Sequence, residues 1–187
     1  MFRSASGSSI DCRKQINLIN TFRQLWEQHV MWTRSFIIST ASNLGDLQMV
    51  TKRLLRNPTD FANELRPFYG DDAARKFEAL LTDHLLIAAR LVNHAKDGDM
   101  DAVKDDRKKW YENADEIANF LSSINPYWSK REWQAMLYEH LKMTESEATK
   151  RLTSQYAADI AQYDEIENQA LKMADYMANG IMKQFNL

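Results

Sequence analysis

The 187-residue sequence predicts an all-α fold, a four-helix bundle with short capping helices in its connections, on three observations. Apolar residues recur at helical spacing over long windows. Only 5 Gly and 3 Pro punctuate the chain, too few for a sheet with many turns. Strand-like alternation bounded by Asn-Gly or Asp-Gly is missing, because Asp97-Gly98 sits between two helical patterns.

Asp11 can cap a first helix running to about Ser42, with Ile16 or Ile19, Phe22, Leu25, His29, Thr33 and Phe36 on its buried edge. A short helix, Leu47 to Arg56, follows. Asn57-Pro58-Thr59-Asp60 then starts another brief one, stopped by Pro67 and Gly70, and the two read as a wrapped connection. The second main helix, from about Asp71 to Lys96, aligns Phe77, Leu81, His84, Ala88 and Leu91 and stops at Gly98. A third, Met100 to Ser123, gathers Val103, Trp110, Ala114, Ile117 and Leu121, with Asn113 at the edge of the stripe.

Ser129-Lys130-Arg131-Glu132 has capping-box spacing and opens a short helix with Trp133, Met136, Leu137 and His140 inward. The same device at Thr144-Glu145-Ser146-Glu147 is expected to open the last long helix. Its face comprises Leu152, Tyr156, Ile160, Tyr163, Ala170, Met173, Met177 and Ile181, ending near Phe185. The far end of that face outruns a companion helix of about 25 residues. That surplus predicts a homo-oligomer, most simply a homodimer.

Residues 1–10, Ser-rich and without an apolar core, are expected to be a disordered extension, and 11–187 a single domain. A chain of this length buries roughly 70 % of its unfolded surface in one core. The net charge of −2 supplies no basic excess for phosphates, which disfavours nucleic acid as a partner. Cys12 is the single cysteine, so Cys-rich zinc and iron–sulfur sites are excluded and a cytoplasmic location is expected. No apolar run approaches membrane-spanning length.

His29, His84 and His140 interrupt three apolar stripes, 55 and 56 residues apart, each with a polar residue immediately before it. A buried imidazole costs free energy unless its nitrogens are bonded, so each needs a carbonyl, carboxylate, hydroxyl, water or metal. If the three converge they form a metal site, with Glu27, Asp159 or Glu167 completing a mixed nitrogen and oxygen shell for divalent iron or zinc. Haem comes second, and no covalent-attachment C-x-x-C-H is present. The bland alternative is that each histidine is a core group satisfied by a neighbour, leaving a structural or interaction bundle.

Binding, sensing or storage is expected ahead of turnover. Were there chemistry, metal-bound water would be the reagent, Glu27, Asp159 or Glu167 the base, and Arg34 the anchor for an anionic substrate. His94, near a helix end, suits a C-terminal interaction. Trp26, Trp32, Trp110, Trp133, Tyr156 and Tyr163 either line a pocket or fill the core.

Helix number and inward histidines give a resemblance to ferritin-like and hemerythrin-like bundles, which implies a metal centre. The chain departs from both patterns. Glu27, Asp83 and Glu139 are followed three residues later by Val30, Leu86 and Lys142, so the Glu-x-x-His pair is missing, and no two histidines lie four apart. The segments Trp26–Arg34, His84–Ala89, Asn113–Ala118 and Tyr156–Glu167 resemble a family of small bacterial helical proteins of unassigned function, some bearing a small-molecule kinase name. Kinase chemistry needs a Gly-rich phosphate loop, and glycines at 7, 45, 70, 98 and 180 supply none.

Overall fold

A computed structural model of the chain describes residues 6–187, with side chains from Cys12 onward. The described residues form helices joined by short turns, without strands: α1 (Ser6–Ala41), α2 (Leu47–Leu54), α3 (Asn57–Asp97), α4 (Met100–Ile124), α5 (Lys130–Leu152) and α6 (Tyr156–Phe185). None is long and apolar enough to cross a membrane. The expectation for residues 1–5 lies outside the described residues; α1 starts at Ser6, ahead of the Asp11 cap.

Two internal boundaries differ from the sequence reading. Pro67 does not stop its helix: α3 continues to Gly70, where φ 78 and ψ 176 turn it into a second arm that includes His84. Glycine reaches that φ without a Cβ clash, so the break falls there. The Thr144 box opens nothing, because Thr144 lies inside α5, and the chain instead turns at Thr153-Ser154-Gln155, with Ser154 at φ 61. Cap chemistry is a local signal, and here continuous packing of α5 overrides it. The Ser129 cap holds, its side chain accepting from the Glu132 N–H, as does Asp99 from Ala102.

α1 packs against α6, α2 and α3; α3 against α4; α4 against α5; and α5 against α6. One large cluster runs through α1 and α3 to α6, and a smaller one joins Phe36, Ile37, Val50, Leu54, Leu85, Val92 and Ala148. The face of α6 begins later than expected: Tyr156 and Ile160 are exposed, while Met173, Met177 and Ile181 are fully buried within the chain. α1 and α5 both pack on α6, and these three side chains, buried within the chain, provide no surplus face for a second copy.

Gly180 marks the closest approach. A Cβ there would sit 1.9 Å from Trp128 Nε1, and that indole is itself buried, donating to the Tyr176 carbonyl. Gly180→Ala is expected to cost roughly 2–3 kcal/mol in urea unfolding through overpacking. An effect under about 0.5 kcal/mol would show that the indole moves freely.

Candidate functional site: three clamped histidines

The three histidines are buried, at 2 %, 2 % and 3 % exposure, and two of the three ring separations are short. His29 lies 5.7 Å from His140 and 6.5 Å from His84, centroid to centroid. They come from α1, the second arm of α3, and α5.

Each faces an amide from a helix later in the chain: α3 for His29, α4 for His84 and α6 for His140. Asn57 Nδ2 donates to the Leu25 carbonyl at 3.0 Å, so its Oδ1 must be the atom 3.0 Å from His29 Nδ1. An amide oxygen only accepts, hence Nδ1 carries the proton. Asn113 repeats the device, donating to the Leu80 carbonyl at 3.1 Å and accepting from His84 Nδ1 at 2.8 Å. Gln169 donates to Met136 at 2.8 Å, and the carbonyl is again four residues before the histidine. His140 Nδ1 and Gln169 Oε1 fall short of hydrogen-bond geometry and have no other partner, yet Gln169 still supports protonation of the ring.

On His29 and His84, with Nδ1 protonated, Nε2 is a bare lone pair. That of His84 is taken: Trp110 Nε1–H donates to it at 3.1 Å, which requires a neutral ring. His29 and His140 have no protein partner at Nε2 among the described residues. Both line a small cavity with His84, Trp26, Trp133 and Leu137, in which the centre of a water-sized sphere can explore about 10 Å³. The indole N–H groups of Trp26 and Trp133 are buried and unpaired.

Burial dominates the electrostatics. It lowers the pKa of His29 to about 4 against the supporting bond from Asn57. It lowers His84 to about 3, with help from His29, and His140 well below the usual histidine value, with help from both rings. All three are neutral at pH 7.

The acids proposed to complete a metal shell lie elsewhere. Glu27 is exposed and Glu167 half-buried, both close enough to Tyr163 to raise its pKa. Asp159 is fully buried and accepts from Arg34 at 2.7 Å and Arg151 at 3.4 Å. Arg34 also meets Glu147 at 2.5 Å and lies over the Tyr163 ring. The guanidinium expected to hold a substrate is therefore already engaged by two buried acids. Among the described residues no group of three or more His, Cys, Asp or Glu side chains is arranged to hold a metal ion. His94 pairs with Asp106 at 2.9 Å near the end of α3.

Desolvation raises the Glu147 pKa to about 7 despite Arg34, so folding favours its protonated form and stability falls as pH rises from about 4.5 to 7. Glu147→Gln removes this term. The variant is expected to lose stability more steeply than the parent on acidification from pH 7 to 5, as read by urea midpoints.

Sequence reasoning missed the amides, although a signal was available. They follow their histidines by 28, 29 and 29 residues, each opening one pattern: Asn57-Pro58-x-x-Phe61-Ala62, Asn113-Ala114-x-x-Ile117-Ala118 and Gln169-Ala170-x-x-Met173-Ala174, with every named residue buried. The histidines share a pattern too, with Phe22, Phe77 and Trp133 seven residues before and Leu25, Leu80 and Met136 four before. The chain is a threefold repeat of a histidine helix followed by an amide helix. Three residues before the amide, the second repeat has Trp110 where the others have Leu54 and Ile166, neither of which donates. No protein-family model, curated protein or solved structure matches this chain.

Proposed function

We propose that the chain is a binding protein, a four-helix bundle supplemented by its shorter helices, which takes a metal ion or small ligand at the histidine-centred core through Nε2 of His29 and His140. The observation that carries this is the amide clamp. Metal-binding histidines typically donate the distal ring N–H to a carbonyl or carboxylate, which fixes the tautomer and strengthens the ligating nitrogen. Asn57 does this for His29, and Gln169 is placed to do it for His140.

A divalent iron or zinc would draw the rings together, since imidazoles on one tetrahedral ion sit roughly 5 Å apart between centroids. His29 and His140, at 5.7 Å, need little movement; His84, at 6.5 Å, joins only if Trp110 releases it. The cavity lining carries no carboxylate, so the imidazoles alone would face the charge of a divalent ion. The reading is one of binding, sensing or storage in the cytoplasm, with neither nucleic acid nor membrane as partner.

The Trp110–His84 bond favours a second reading. A ring satisfied at both nitrogens, as His84 is, is structural, and a bundle whose histidines serve only to hold its helices would act as an interaction scaffold. Calorimetric titration of untagged protein with zinc, ferrous and cuprous ions separates the two. The binding reading expects one equivalent bound, lost in His29→Gln and His140→Gln. No uptake, or uptake indifferent to both variants, would overturn it in favour of the scaffold.

A further inference from the structure

A second cavity has Trp110 in its wall, and we propose that it is a binding site for a small apolar molecule of the size of xenon or dioxygen. The proposal is independent of the histidine reading. The cavity is walled mainly by Phe36, Ile37, Leu85, Val92, Trp110 and Ala148, where the smaller apolar cluster meets the larger. The centre of a water-sized sphere can explore about 20 Å³ within it, twice the room beside the histidines. For a compact shape that is a hollow roughly 3 Å in radius, enough for a xenon atom.

Water is a poor occupant because its walls lack polar partners. A buried water needs two to four hydrogen bonds. Of the polar groups in the wall, Thr33 Oγ1 donates to the His29 carbonyl, Trp110 Nε1 to His84, and Glu145 is held by Arg107. Only the Thr144 hydroxyl is buried and unpaired. An apolar guest gains dispersion contacts that the wall atoms otherwise lack and gives up few hydrogen bonds.

Trp110 gives this site a readout. One ring both walls the apolar cavity and bonds His84, which lines the other. A guest against Trp110 is therefore expected to shift its indole N–H resonance. The test is xenon pressurisation of the intact protein, followed by NMR in solution and by diffraction from crystals. The expected result is a saturable Trp110 indole shift and one xenon atom in this cavity.

Ala89 also lines this cavity, and Ala89→Leu, which fills the space, is expected to weaken the response at least tenfold. Val92→Ala, which enlarges it, is expected to strengthen the response severalfold and keeps the test decisive if the filled variant does not fold. An unsaturable shift, xenon located elsewhere, or a Val92→Ala response equal to or weaker than the parent's would overturn the proposal.

Discussion

Asn113→Leu is expected to destabilise the protein by roughly 2–4 kcal/mol, although leucine nearly matches asparagine in volume. Among the described residues Asn113 is the only partner of His84 Nδ1–H, and at 2 % exposure the ring is shut off from solvent. The stranded N–H carries most of the loss. The Leu80 carbonyl retains its own helical bond and forfeits only the second. Switching tautomer offers no escape, because Nε2–H would then confront the Trp110 N–H. Gln169→Leu should cost less, since its contact with His140 is not at hydrogen-bond geometry. Urea unfolding at pH 7 reads both, and equal costs, or a cost below about 0.5 kcal/mol for Asn113→Leu, would count against the clamp.

Acidification should produce a comparably large effect. A histidine whose pKa is lower in the folded chain binds its proton more readily when unfolded, so stability is full above about pH 6.5 and is lost as pH falls toward the folded value. For His29 the window closes at about 4 and for His84 at about 3. Each histidine contributes about 1.4 kcal/mol per pH unit inside its window. Glu147, shifted upward to about 7, works in the opposite direction over the same range and offsets about one of the three. With His29 and His84 set against Glu147, stability is therefore expected to fall by at least about 1 kcal/mol per unit between pH 6.5 and 4.5, and His140, lowered in the same direction, steepens the fall. Urea midpoints across pH 4.5–8 check this, and His29→Gln should make the slope visibly shallower.

The all-helical fold and the inward histidines were legible because both rest on 3.6-residue periodicity, which the chain displays in nearly every segment. The Gly98 stop and the Ser129 cap were legible for a similar reason, each being decided by local chemistry. The α5–α6 boundary was not. Thr144-Glu145-Ser146-Glu147 has capping spacing, while the turn at Ser154 has only a positive φ to mark it, and serine does not announce one.

The histidine partners were hidden for another reason. Asn113 lies at the edge of its stripe by helical spacing, where an amide ordinarily meets solvent. Only the packing of α4 on α3 turns it toward His84. Acids drew attention as histidine partners, yet Asp159 lies with Arg34 and Arg151 instead. The tandem pattern linking Asn57, Asn113 and Gln169 was the available clue, and it requires comparing the chain with itself.

The most direct test of the central claim is the proton position on each ring, read by long-range nitrogen–proton correlation NMR of the histidine side chains at pH 7. The clamped account expects three neutral rings from His29, His84 and His140, each protonated at Nδ1 and bare at Nε2, with the Nδ1 proton of His84 lost from view or shifted in Asn113→Leu. Protonation at Nε2 of His29 or His140, or a charged ring among the three at that pH, would contradict it and leave the core without a lone pair to offer a ligand.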